Sequence, residues 1–310
     1  MFPNFATLPC VLIAIWASIN VSICYSFKIP ADSAIDVIWA FPNLTWIENL
    51  AVRRSGSILC TSLNRAALYS VNPFSHAAVI VHQFDASDGL LGITEIEDDV
   101  FVVASANVNL TTSTAEAGSA KIWKVDFTDR EPGVSLISDL TEVGLPDGLL
   151  TLDGEKGLIL LADAAKGIVW RVDIRTGHYA VAIQDPVFTA TNKLIPLGID
   201  GIHKTDHYLY FTNLGNNLLG RVAIAPDGSA VGPIENITSN LTFPDDFALT
   251  KAGTAYIAGD NTLSKVSPNG TVVVLSGGPY DPTLEGCISA QFGRTGDDKN
   301  VLYIARTEVC

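Results

Sequence analysis

A short pattern recurs six times along this chain, and its spacing restricts the architecture more than any composition does. One residue, acidic in five of the copies, is followed by a small or polar one and then by an apolar run. The copies are Glu48-Asn49-Leu50, Leu91-Gly92-Ile93, Asp147-Gly148-Leu149, Asp200-Gly201-Ile202, Asp245-Asp246-Phe247 and Glu285-Gly286-Cys287. They lie 43, 56, 53, 45 and 40 residues apart. A unit of that size cannot enclose its own core, so it must stack on its neighbours.

Two further elements follow each copy. The first is an apolar strand of the kind buried on both faces: SILCT at 57–61, VFVVA at 100–104, LILLA at 158–162, YLYFT at 208–212, AYIAG at 255–259 and VLYIA at 301–305. The second is a half-apolar strand ending in Val, as in IWKV at 122–125 and VWRV at 169–172, whose alternation suits a position nearer the outside. Turn residues separate them, among them Arg54-Ser55-Gly56, Thr176-Gly177, Pro226-Asp227-Gly228, Ala252-Gly253 and Pro268-Asn269-Gly270. No segment after residue 24 carries long helical periodicity. The pattern predicts an all-β, six-bladed β-propeller over residues 27–310. Its last blade closes with an N-terminal strand at Ile35–Phe41, and the chain stops at Cys310 one strand short of completing that blade.

The 310 residues are 48% hydrophobic and 17% charged, which is ample for a large core. Formal net charge is −14, and no Asp, Glu, Lys or Arg falls between Met1 and Cys24. The acidic balance therefore belongs to the propeller, and it argues against nucleic acid and anionic membranes as partners. Residues 1–24, with the apolar run from Leu8 to Ile23, read as a secretory signal and not a membrane anchor. Secretion is expected, and five N-x-Ser/Thr triplets, at Asn43, Asn109, Asn236, Asn240 and Asn269, are candidate glycosylation sites. Beyond the signal only Cys60, Cys287 and Cys310 remain. An odd number leaves one thiol free, and Cys287 with Cys310 is the candidate disulfide because both fall in the last hairpin.

Four stretches, Glu48–Arg53 (ENLAVR), Leu209–Asn213 (LYFTN), Phe243–Phe247 (FPDDF) and Phe292-Gly293-Arg294, make the chain resemble the SMP-30/gluconolactonase/luciferin-regenerating propeller superfamily. It is more similar to the secreted fungal branch that includes the hetero-Diels–Alderases of tropolone–sesquiterpenoid biosynthesis. Those enzymes couple a tropolone-derived quinone methide to a humulene-type terpene, so the resemblance implies small hydrophobic substrates and no required cofactor.

In a propeller the first residue of each copy falls on a ring at one mouth of the central channel. Glu48, Asp147, Asp200, Asp245 and Glu285 would then converge there, with Leu91 as the exception. Converging carboxyls cannot all stay ionised: a cation, retained protons or covering bases must neutralise them. Oxygen-only donors favour Ca²⁺ or Mg²⁺ over zinc. The resemblance implies Glu48, Asp200 and Asp245 as catalytic residues, or as ligands if a divalent cation is bound; Asp200 stands where the lactonases usually have Asn. Asn49, Asp147, Asn213, Asp246 and Glu285 are candidate substrate-binding residues. Asp147 and Glu285, each next to Gly, suit a turn cap equally well. His203 and His207 suit an exposed turn better than a metal site, and Trp46, Trp123 and Trp170 suit blade packing better than substrate contact. Asn213, Asn216 and Asn217 can line the pocket or make a turn.

Three functions remain open on this reading. The first is a cyclisation enzyme of specialised metabolism. The second is a metal-dependent lactonase or ester hydrolase, and the third a non-catalytic ligand-binding propeller.

Overall fold

Runs of Val, Ile, Leu and aromatic residues broken by Gly, Asn and Asp fold into short antiparallel strands, and the strands group into six four-stranded sheets. The computed structural model describes residues 22–29, 35–42, 44–278 and 282–307. Blade 1 holds Ile47–Val52, Ile58–Ser62, Ala67–Asn72 and Ala77–Gln83, from the axis outwards. Blades 2 to 5 repeat that order, with inner strands Gly89–Glu97, Pro146–Asp153, Ile199–Lys204 and Pro244–Leu249. The turn glycines Gly56, Gly177, Gly228, Gly253 and Gly270 all adopt positive φ, between 73° and 89°.

The core lies between the blades. Second strands such as Ile58–Ser62 and Val100–Ala106 are buried along their whole length, as their unbroken apolar runs predict. Outer strands such as Ala77–Gln83 stay largely open to solvent. Phe101, Phe211 and Phe247 are fully buried in separate inter-blade clusters, where truncation to Ala costs about 3–5 kcal/mol.

Blade 6 differs from the sequence expectation in two respects. It is complete: Cys287–Phe292 and Val301–Arg306 are followed in space by Ile23–Lys28 and then Asp36–Ala40. The third strand therefore comes from the N-terminal segment, with Cys24 facing Ala305 and Tyr25 facing Ile304. It starts at Ile23, ahead of the predicted propeller boundary at residue 27 and inside the range read as signal, because its apolar residues continue the apolar run that begins at Leu8. Pairing of both chain ends in one sheet closes the ring. Of the leader, residues 1–21 lie outside the described residues, as do Asn43 and Cys310 and with it the Cys287–Cys310 pairing. Cys24, Cys60 and Cys287 are all buried.

The second difference concerns register. The inner strand of every blade carries a bulge, between Ile47 and Leu50, Leu90 and Ile93, Pro146 and Leu149, Ile199 and Ile202, Pro244 and Phe247, and Cys287 and Ser289. A bulge re-aims one side chain and bends the strand. Here it turns one residue per blade towards the channel mouth. In blade 6 that residue is Ile288; Glu285 sits three residues earlier, in the turn before the strand.

Candidate functional site

The mouth is built from those six bulges. Its lining includes the ring Glu48, Leu91, Asp147, Asp200, Asp245 and Ile288, so the ring holds four acids and two apolar residues instead of the expected five and one. Around it stand Trp46, Leu63, Val108, Leu110, Ser113, Leu145, Leu197 and Leu214. Together these residues surround about 590 Å³ of space, including the part open to solvent.

The residue after each ring position explains how the blades come so close. A Cβ on Gly148 would stand 2.4 Å from the Asp200 carbonyl oxygen, and one on Gly201 would stand 2.5 Å from Asp246 Oδ1. The Asp-Gly pairs are therefore packing devices within inner strands, and not turn caps. Gly92 fills the same place in blade 2, and in blades 1, 5 and 6 this layer carries polar side chains that bond inwards. The Leu50 N–H donates to Asn49 Oδ1 at 2.7 Å and the Phe247 N–H to Asp246 Oδ1 at 2.8 Å. Ser289 Oγ donates to Asn49 at 3.3 Å and to Asp246 at 3.4 Å. His203 Nε2 lies 2.9 Å from Asp246 Oδ1, on the side away from the ring residues.

This layer corrects several expectations. Asn49 and Asp246 are buried supports beneath the mouth and do not line it. Asn213 is fully buried; its amide donates to the Val187 carbonyl at 2.9 Å and accepts from the Asn216 N–H at 3.0 Å, bracing the loop between blades 3 and 4. Asn216 holds Thr191 in the same loop. Glu285 is absent from the lining. His203 belongs to an inner strand and not to an exposed turn, whereas His207 is exposed. Trp123 and Trp170 do pack in the blades, donating to Ser105 at 2.8 Å and Asp163 at 3.2 Å. Trp46 does not. Its indole Nε1–H donates to Glu48 Oε2 at 2.7 Å and its ring forms part of the wall. Side chains two apart on a strand share a face, and that spacing is the signal by which Trp46 could have been found.

Electrostatics set the ring acids apart. Burial, then the charge of Asp147, pushes the Glu48 carboxyl up to about 8, although the Trp46 hydrogen bond pulls it down. Burial, then Asp246, raises Asp147 to about 7. Asp200 and Asp245 are raised well above the carboxylate range by burial and by their acidic neighbours. Among the described residues no Lys or Arg lines the mouth, and no side chain donates a hydrogen bond to the carboxyl group of Asp147, Asp200 or Asp245, although the Thr212 hydroxyl donates to the Asp245 backbone carbonyl. Among them, too, no group of three His, Cys, Asp or Glu side chains is arranged to hold a metal ion. The donor set is chemically suited to a hard cation, but its arrangement does not fit one. With no cation bound, retained protons neutralise the ring.

No family model matches the chain. It is 29% identical over 295 residues to a putative hetero-Diels-Alderase of Phoma sp, covering 85% of this chain and 84% of that protein. Identity to the putative hetero-Diels-Alderase asR5 of Sarocladium schorii is 28% over 309 residues, covering 86% and 77%. Among solved structures, a gluconolactonase from Xanthomonas campestris superposes with a TM-score of 0.58 at 12% identity, over 84% of this chain and 86% of that one. The calcium-binding protein regucalcin from Agrobacterium tumefaciens superposes at 0.55 and 13%, over 85% and 90%. The chain is a six-bladed β-propeller, similar in fold to that gluconolactonase and to regucalcin. The solved structures share the fold, whereas the two fungal proteins share sequence along most of the length. In this propeller, the quoted stretches have identifiable work. Arg53 forms a two-point ion pair with Asp99 at 2.9–3.0 Å, and Arg294 bonds the Val52 carbonyl and Glu95, tying blade 6 to blades 1 and 2.

Proposed function

We propose that the mouth is the active site of a secreted cyclisation enzyme of specialised metabolism, of the hetero-Diels–Alderase kind. The observation that carries this reading is an apolar chamber with four buried carboxyls in its rim and, among the described residues, no Lys or Arg lining it. The names of the two fungal relatives support it.

Such a site suits two steps. A carboxyl that keeps its proton at neutral pH, Glu48 or one of its neighbours, donates that proton to a departing hydroxyl, which leaves as water. A neighbouring ring carboxylate accepts the acidic proton of the same substrate, so the pair releases a neutral quinone-methide-type heterodiene. The leucine walls hold an alkene against this heterodiene, and the new C–C and C–O bonds form in one cycloaddition. Proximity in such a chamber can supply most of the rate. Asp200 and Asp245 are the candidate partners of Glu48 in the proton transfers, and Asp147 holds the fourth place.

The expected secretory route has its own support. Asn109, Asn236, Asn240 and Asn269 are all exposed. Processing at or before Ser22 leaves the Ile23–Lys28 strand intact, and N-terminal sequencing of the secreted protein checks this.

The function is tested by incubating purified protein with a tropolone alcohol and humulene. Cycloadduct formed faster, or with a different isomer ratio, than without protein supports the reading. Rates and ratios equal to the protein-free control overturn it.

A further inference from the structure

Blade 2 is built unlike the others. Between its second and third strands lie residues 107–120, where blades 1, 3, 4 and 5 have only residues 63–66, 164–167, 214–217 and 260–261. This insertion accounts for the wide spacing after Leu91. It folds into a hairpin of its own, Val108–Asn109 against Thr114–Ala115, separate from the blade sheet.

Polar contacts hold that hairpin rigid at both ends. At its base, Asn107 Nδ2 donates to Glu116 Oε2 at 2.8 Å, and the Asn107 N–H donates to Ser119 Oγ at 3.1 Å. At its tip, Asn109 Oδ1 accepts from the N–H groups of Thr111 and Thr112 at 3.0 and 3.3 Å, and the Thr112 and Thr114 hydroxyls lie 2.7 Å apart. Its apolar side chains face the mouth. Val108 and Ala115 pack on the cluster of Leu63, Leu91, Ala106, Leu145 and Ala164, whereas Leu110 lines the cavity and is still 38% exposed. The hairpin stands beside Leu91, the ring position where blade 2 lacks an acid. Across the six-blade ring from it lies blade 5 with Asp245.

We infer that the blade-2 hairpin is a preformed specificity wall, on which Val108 and Leu110 hold the hydrocarbon part of the substrate with its oxygen-bearing end across the mouth at Asp200 and Asp245. An exposed leucine held at the rim by a polar-braced hairpin does nothing for the blade core. It does complete an apolar surface with Leu91 and Leu145 that a hydrocarbon would cover. This deepens the cyclisation reading and rests on it for the substrate's polar end; the hydrocarbon contact stands on the hairpin alone.

The test uses N-phenyl-1-naphthylamine, a neutral apolar dye that brightens when it leaves water, on the whole protein. The expected result is binding at the mouth that Leu110→Ser weakens about tenfold, the loss that removing most of one leucine contact produces. Leu110→Ala should weaken it less. Val79→Ser, on the exposed outer strand of blade 1, should leave it unchanged. Both Leu110 substitutions preserve the Asn109-x-Thr111 triplet, and Leu110 lies outside every blade sheet, so melting temperatures should match wild type. Equal dye affinity in wild type, Leu110→Ser and Leu110→Ala overturns the wall, as does an equal loss in Val79→Ser. If wild type forms no cycloadduct while Leu110→Ser still weakens the dye, the wall stands and the cyclisation reading falls. If cycloadduct forms and the dye affinities are equal, the wall falls and the reading stands.

Discussion

Two sets of carboxyls in this protein occupy opposite surroundings. At the outer turns, Asp173 Oδ1 accepts from the N–H groups of Arg175 and Thr176 at 2.8 and 3.2 Å, and Asp227 Oδ1 accepts from the N–H and hydroxyl of Ser229 at 3.0 and 2.6 Å. Those donors hold both acids below the usual carboxylate range. At the mouth, burial and mutual repulsion push Glu48, Asp147, Asp200 and Asp245 upwards, and among the described residues only the Glu48 carboxyl has a side-chain donor. The outer acids stabilise the fold through the turns they close. The mouth acids oppose it, since a buried ionised carboxyl without partners is unfavourable. Folding therefore gives no reason for four such acids on one ring, and a ligand or reaction does.

The sharpest way to break this contrast is to neutralise one acid of each set. Asp200→Asn or Asp245→Asn should lower the cyclisation rate by roughly 10²–10⁴-fold, the usual weight of a positioned proton donor or acceptor. Either variant should melt no lower than wild type at pH 8. Loss of folding instead of rate would assign these residues to the scaffold.

Next in size is pH. The mouth acids bind protons more tightly in the folded chain than in the unfolded one. Their contribution is therefore most favourable below about pH 4 and declines as pH rises towards about 8, where Glu48 ionises. Thermal melts should show a midpoint several degrees higher at pH 5 than at pH 8.5. Glu48→Gln with Asp147→Asn should flatten that difference, which separates the ring from the general repulsion of a chain with net charge −14.

Asp173→Ala should cost about 0.5–1.5 kcal/mol of stability and leave the rate unchanged, as read by denaturant unfolding and turnover. Smallest is Trp46→Phe. Losing the indole N–H removes the one interaction that lowers the Glu48 carboxyl, so the alkaline limb of a pH–rate profile should move upwards while the fold persists.

The repeat made most of the architecture legible, because a buried second strand reads as an unbroken apolar run. It failed where the local pattern had another cause. In blade 6 the Glu285-Gly286 pair imitates the ring signature, yet Gly286 has φ 70° and lies in a turn. The fold asks of the ring position only an inward side chain after a bulge, and Ile288 meets that requirement without an acid to mark it. The Ile23–Lys28 strand is hidden for a similar reason, since its apolar residues continue the apolar run from Leu8. Leu91 was visible as the odd member, and the extra length that follows it was visible too. What sequence spacing alone does not reveal is that this length folds back over the mouth, because that depends on contacts between Val108, Ala115 and the cluster around Leu63. Asn213 reads as either a pocket or a turn residue because a buried amide bracing a loop and one lining a pocket look the same in one dimension.

The central claim is that the mouth acids hold protons near neutral pH. A carboxyl-carbon NMR titration of the folded protein, compared with Glu48→Gln and Asp147→Asn, tests it directly. Two resonances should vanish in the respective variants and titrate in wild type with midpoints near 8 for Glu48 and near 7 for Asp147. Midpoints near about 4 for both, the value of free carboxyls, would contradict the account.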